Sequence, residues 1–249
     1  MTSFKENEIE KKDFEGSKIE EIVKEFLSEG SDQNHRYRSF DYCYNYFHTT
    51  EDLTKDMEKS CLELAFYLAS WGMLRNSVLL QKSLTHFRKI IEYINRHDDA
   101  LWQIDVNNYT EENIDTILEV YHKIDDCIYP SSEKHQKHVL ITKIMLGVFG
   151  FVPAYDRFFH ETFKRIDPVK CKFSSFNEKS LNVIKCFYEK HQETIDKLSD
   201  ETYTSVFYPE KETPLKYPRA KIIDMFGFTY GKIIVDKLKK EKENNANDI

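Results

Sequence analysis

Lys143 and Asp156 are the residues of this chain whose types and spacing could do chemistry. Lys143 sits in the apolar run Leu140-Ile-Thr-Lys-Ile-Met-Leu-Gly-Val-Phe-Gly150, and a Val152-Pro153 turn then delivers Asp156 to the start of the next amphipathic segment. An aspartate at a helix N-terminus accepts hydrogen bonds from free backbone N–H groups, and these together with the helix dipole keep it ionised. In a cleft, such a carboxylate can stabilise developing positive charge or orient an attacking water. Simple helix capping asks for the same residue and is the competing reading. A lysine becomes an amine nucleophile only where burial favours its neutral form; the alternatives for Lys143 are a phosphate contact or a plain surface lysine.

Two short segments carry a family likeness. Thr142-Lys143-Ile144-Met145, followed by Pro153-Ala154-Tyr155-Asp156, resembles the "T-K-apolar-apolar … P-x-x-D" pattern of bacterial 8-oxoguanine-DNA-glycosylase-like proteins, relatives of the helix–hairpin–helix DNA glycosylases. Arg219-Ala-Lys-Ile-Ile-Asp224-Met resembles the "L-R-x-L-D" start of the last helix in those proteins. The resemblance implies an all-α, glycosylase-like fold with a cleft near Asp156. It also implies an N-glycosylase acting on damaged or modified DNA bases, or an inactive relative that still binds DNA. Asp156 would then be the catalytic carboxylate and Lys143, the lysine of the pattern, a second catalytic candidate, and Tyr155, Arg157, Lys137 and Arg219 would contact substrate, with no cofactor and no metal. The chain departs from the family where the phosphate-gripping hairpin should stand, because Lys134 to Ile141 contain no glycine. Around the candidate aspartate, Ser131 to Ser175 holds Lys134, Lys137, Lys143, Arg157, Lys164, Arg165, Lys170 and Lys172 against Glu133, Asp156, Glu161 and Asp167. A locally basic segment suits a phosphate-facing surface, and a solvated mixed-charge face has the same composition.

Other candidates are weaker. His135 and His138 are three apart on one helix face, a spacing that can supply two metal ligands, but no third ligand is evident, and a solvated helix start is the preferred reading. Trp71 and Arg75, four apart, read as a core tryptophan with a surface arginine before they read as a cation–π pair. Glycine-rich dinucleotide and P-loop motifs, H-E-x-x-H and G-x-S-x-G are absent from the sequence.

The elements that must position these residues are helices. The chain has 249 residues with only seven Gly and six Pro, too little turn punctuation for a β-sandwich or barrel, whereas 18 Phe and 15 Tyr supply a sizeable core. The net charge of −7 gives no global attraction to nucleic acid. Five cysteines without a C-x-x-C pair, and a charged segment from Met1 to Lys12, read as free thiols in a cytoplasmic protein without a secretory leader. Apolar stretches fall short of the roughly 18 residues of a membrane span.

Periodicity predicts helices from Ser17 to Gly30, through Phe40 to Phe47 (where the alternation Phe40, Tyr42, Tyr44, Tyr46 also fits a strand and helix is the preferred reading), and from Met57 to Leu74. It predicts one helix from a Ser77 cap through Leu80, Leu84 and Ile94, and another capped by Thr110. Further helices follow from Glu133 to Phe149, from Tyr155 to before Pro168, and from Asn177 to Leu198. Ser199 to Pro218 reads as irregular with a short strand at Tyr203 to Phe207, and a last helix begins near Arg219. The expected organisation is a flexible N-terminus (1–16), one helical domain (17–236) and a flexible polar tail (237–249), with two lobes meeting near Pro130 as the alternative architecture. A second functional class is a non-catalytic helical protein-interaction module, suggested by the aromatic segment Tyr37 to Phe47; it would show an exposed apolar patch of several hundred Å².

Overall fold

A computed structural model describes residues 15–75, 78–96, 99–129, 138–166, 171 and 173–247. Among these the chain is all-α: α1 (Gly16–Glu29), α2 (Arg38–Thr49), α3 (Met57–Ser70), α4 (Arg88–Ile94), α5 (Glu111–Ile128), α6 (His138–Phe149), α7 (Arg157–Ile166), α8 (Glu178–Lys190), α9 (Gln192–Glu201) and α10 (Arg219–Asn247). The helices sort into two packed groups, α2–α6 and α1 with α7–α10, which share one hydrophobic core. The α6–α7 junction passes from one group to the other.

Local chemistry accounts for most boundaries. Asp56, Thr110 and Asn177 accept hydrogen bonds from Lys59, Asn113 and Ser180 N–H and so cap α3, α5 and α8. α3 ends in a paired arrangement in which Gly72 N–H donates to the Ala69 carbonyl and Met73 N–H to that of Leu68. The left-handed turn this needs falls on Gly72, with φ of 76°, and it fixes Trp71 at the end of the helix. Gly150, with φ of 75°, ends α6 in the left-handed conformation expected of it.

α6 is buried from Leu140 to Phe149, a helix apolar on every side and therefore central. α10 is buried from Ala220 to Gly231 and exposed beyond Val235. It crosses α7 so closely that a Cβ on Gly231 would lie 1.9 Å from the Phe158 carbonyl oxygen.

The structure corrects several expectations. The predicted helix through Leu80 and Leu84 is two 3-10 turns (Val78–Gln81, Leu84–Phe87) leading into α4, because Ser83 is extended; Leu80 is exposed rather than core-facing. Ser77 lies outside the described residues. The single helix from Asn177 divides at His191 into α8 and α9, a break that no Gly or Pro announces. The strand at Tyr203 to Phe207 reduces to an isolated antiparallel bridge between Tyr203 and Lys216. The last helix continues through Asn247, since Lys, Glu and Leu are good helix formers. All five cysteines are free, with Cys43, Cys61 and Cys171 buried. No helix among the described residues is long and apolar enough to cross a membrane.

Candidate functional site

The turn from Phe151 to Tyr155 is buried, so each of its backbone polar groups needs a partner inside the protein. Tyr109 donates its hydroxyl to the Phe151 carbonyl, Asp224 Oδ1 accepts the Ala154 N–H at 3.0 Å, and Thr142 Oγ1 accepts the Tyr155 N–H at 3.0 Å. These three clamps come from different elements and leave Asp156 at the N-terminus of α7. Its Oδ1 accepts the N–H groups of Phe158 and Phe159, each at 3.0 Å, and its Oδ2 accepts from Lys143 Nζ at 3.0 Å. Asp156 is therefore both a helix cap and one half of an ion pair.

A second pair adjoins the first. Lys221 and Asp224, three apart at the start of α10, meet at 2.8 Å with side chains 2% and 7% exposed. The Lys143 and Asp156 side chains are 5% and 13% exposed. Both ammonium groups bear on the indole of Trp71, Lys143 at 4.6 Å and Lys221 at 5.4 Å from the ring centre, and the exposed Arg36 guanidinium lies 5.1 Å from it. Lys221 also faces Phe40 at 4.6 Å and Phe26 at 5.1 Å. Tyr37 stacks parallel to the indole at 5.4 Å, and Phe228 meets it edge-on at 5.6 Å. The indole Nε1 is buried with no hydrogen-bond partner among the described residues. Burial, with Asp224 and Asp156 nearby, pushes the Tyr67 hydroxyl well above its ordinary pKa.

Taking a charge out of water costs several kcal/mol, which a salt bridge repays only in part, and well-packed apolar side chains would serve stability as well or better. Two such pairs against one aromatic ring are a feature that folding alone does not demand. Chemically, the site offers a carboxylate fixed by two backbone donors, an ammonium in contact with it, and a partly exposed indole. Among the described residues the pair lies packed beneath Trp71, with Asp156 the more exposed partner, where a cleft was expected. A cavity of about 290 Å³ lies elsewhere, lined by Phe47, His48, Leu53, Asn95 and Trp102 among others, and shares no residue with the pair.

The other sequence candidates are dispersed. Tyr155, expected to touch substrate, is a core residue whose hydroxyl donates to Ser180 Oγ at 3.0 Å and whose ring stacks on Phe159. Arg219, expected there as well, is held by Asp196 at 2.5 Å and lies 3.6 Å from Asp105, fixing the start of α10. Arg157 is exposed beside Asp156. Lys137 and His135 lie outside the described residues, as do Lys134, Lys170 and Lys172. Of the basic segment, Lys164 and Arg165 are both paired with Glu161. His138 starts α6, and burial with His160 nearby lowers its pKa; the described residues hold no group of three metal-ligating side chains. Arg75 lies beside Gly72, and the cations found over Trp71 come from elsewhere in the chain.

Sequence reasoning missed Trp71, Lys221 and Asp224 as neighbours of the pair. The only signal was the second segment, Arg219 to Met225, which contains Lys221 and Asp224 without distinguishing them from surface charges. Comparison of the chain with protein-family models, with curated proteins and with solved structures finds no match.

Proposed function

We propose that this chain acts on DNA as an N-glycosylase-type enzyme on damaged or modified bases, with Asp156 as the catalytic carboxylate and Lys143 as its partner. The observation that carries this reading is the 3.0 Å Lys143–Asp156 contact, built at a helix N-terminus against Trp71. In the reaction, the bond between the sugar C1′ and the base nitrogen breaks and its electron pair leaves with the base. The Asp156 carboxylate stabilises the cationic sugar. Water then adds hydroxide to C1′, and its proton ends on the departed base. Lys143 holds the carboxylate oxygen in place. Arg36, next to Trp71, is an exposed cation that can meet a phosphate.

The test uses oligonucleotides carrying 8-oxoguanine, uracil or hypoxanthine, single-stranded and duplex, with released base measured by chromatography. The native chain should release one of these bases, and Asp156→Asn should lower the rate about 1000-fold. No release by the native chain sinks the proposal.

The second reading, a non-catalytic helical interaction module, draws on a different observation. The segment from Tyr37 to Phe47 that suggested it is largely core, with Tyr37, Phe40, Tyr44 and Phe47 buried. Exposed aromatics gather instead at Phe207 (66%) and Tyr208 (49%), against Tyr42. That reading predicts a sedimentation coefficient that rises with concentration and stops rising in Phe207→Ser; a native chain that stays monomeric at every concentration argues against self-association through this face.

A further inference from the structure

Asp156 is presented by a turn with no regular secondary structure of its own, yet a catalytic carboxylate must be held to within a fraction of an ångström. The turn gets its fixed shape from outside. The Ala154 N–H, two residues before Asp156, donates at 3.0 Å to Asp224 Oδ1, a bond between groups 70 residues apart and both buried. The other oxygen of Asp224 accepts from Lys221 Nζ at 2.8 Å, and Lys221 is in turn walled in by Phe26, Phe40 and Trp71. Trp71 is the ring that Lys143 also faces. Thus a continuous chain of contacts runs from the turn, through Asp224 and Lys221, to the indole and back to the Lys143–Asp156 pair. Neither Lys221 nor Asp224 approaches the glycosidic bond in the scheme above, so neither is assigned a chemical step.

We propose that Asp224 and Lys221 are positioning residues: Asp224 pins the Ala154 turn that sets the place of Asp156, and Lys221, sharing Trp71 with Lys143, holds Asp224 in the orientation that the turn requires. The catalytic part of this inference rests on the glycosylase reading, whereas its geometric part does not.

Two measurements separate the parts. The Phe158 and Phe159 amides are bonded only to Asp156 Oδ1, so their hydrogen exchange reports where that carboxylate sits. In Asp224→Ala, these two amides should exchange about tenfold faster, the effect of losing roughly one hydrogen bond, while the Phe163 amide further along α7 stays near its native rate. The double variant Lys221→Met with Asp224→Asn keeps an acceptor for Ala154 without an unpaired ammonium, and it should restore slow exchange. Base release by Asp224→Ala should fall about 100-fold in kcat, with KM within about threefold, as expected of a misplaced group. Unchanged exchange at Phe158 and Phe159 in Asp224→Ala overturns the proposal. So does faster exchange along all of α7, or failure of the double variant to restore protection. If the exchange pattern holds and the native chain releases no base, the positioning role stands and the glycosylase reading falls.

Discussion

Four aspartates with little or no exposure divide into two regions that use their charge differently. At the start of α10 and along α2, Asp105 and Asp41 serve the backbone. Asp105 accepts the N–H groups of Arg219, Ala220 and Val106, and Asp41 accepts the Ser205 N–H and the Tyr217 hydroxyl. Burial raises both carboxyl pKa values, and the hydrogen bonds oppose that rise. At the α6–α7 junction, Asp156 and Asp224 also serve backbone donors, but their cation partners are buried lysines, whereas Asp41 and Asp105 meet the less buried Arg38 and Arg219. In the first region the carboxylates satisfy donors that the fold must satisfy somehow. In the second, the partner charges are lysine ammonium groups withdrawn from water, which costs more than pairing with a partly exposed arginine. The difference marks the junction as the place where burying charge costs the fold most.

The comparison can be broken most directly at its most buried pair. Lys221→Met leaves the Asp224 charge without its ammonium and should destabilise the chain by about 3–5 kcal/mol, a fall in Tm of roughly 10 °C. Lys221→Met with Asp224→Asn should recover most of that loss in the same thermal unfolding experiment. A double variant as unstable as the single one would make the pair structural after all. Asp105→Ala has no such rescue, because it strands buried N–H groups at the start of α10; a loss of about 3 kcal/mol by urea unfolding is expected.

Gly231→Ala tests whether the two regions meet through the α7–α10 crossing. Its methyl group would collide with the Phe158 carbonyl, and a loss of about 2 kcal/mol, with faster exchange at the α7 N-terminus, should follow.

The smallest effect is in pH dependence. Folded Asp41 retains its proton at pH values where the unfolded chain has released it, since burial raises its folded pKa. Its contribution is therefore fully present below the unfolded pKa of about 3.9 and is lost as pH rises through the folded value. The advantage of the native chain over Asp41→Asn, on the order of 1 kcal/mol, should shrink with rising pH across that window. An advantage that grows with pH would contradict the assignment.

Legibility in the sequence followed the range of the interactions. Thr110, Asn177 and Gly150 act on groups within a few residues, and their roles were readable because capping chemistry is local. The Gly150–Val152-Pro153–Asp156 punctuation likewise located the α6–α7 turn. The division of α8 from α9 and the 3-10 turns before α4 were not readable, because tertiary packing, rather than local propensity, set those limits. At the site, Asp156 as a helix cap was legible; the surroundings of Tyr155 and Arg219 were not, since nothing local says that one faces the core and the other meets Asp196 and Asp105.

By itself, then, the sequence determined an all-α chain with a carboxylate at a helix N-terminus thirteen residues after a lysine, because hydrophobic period and capping act over one or two helical turns. Only the tertiary structure decided that this lysine reaches that carboxylate, that Trp71 lies against both it and Lys221, and that Asp224 holds the turn from 70 residues away. Such contacts depend on how separate helices pack, and packing depends on the shapes of many side chains at once.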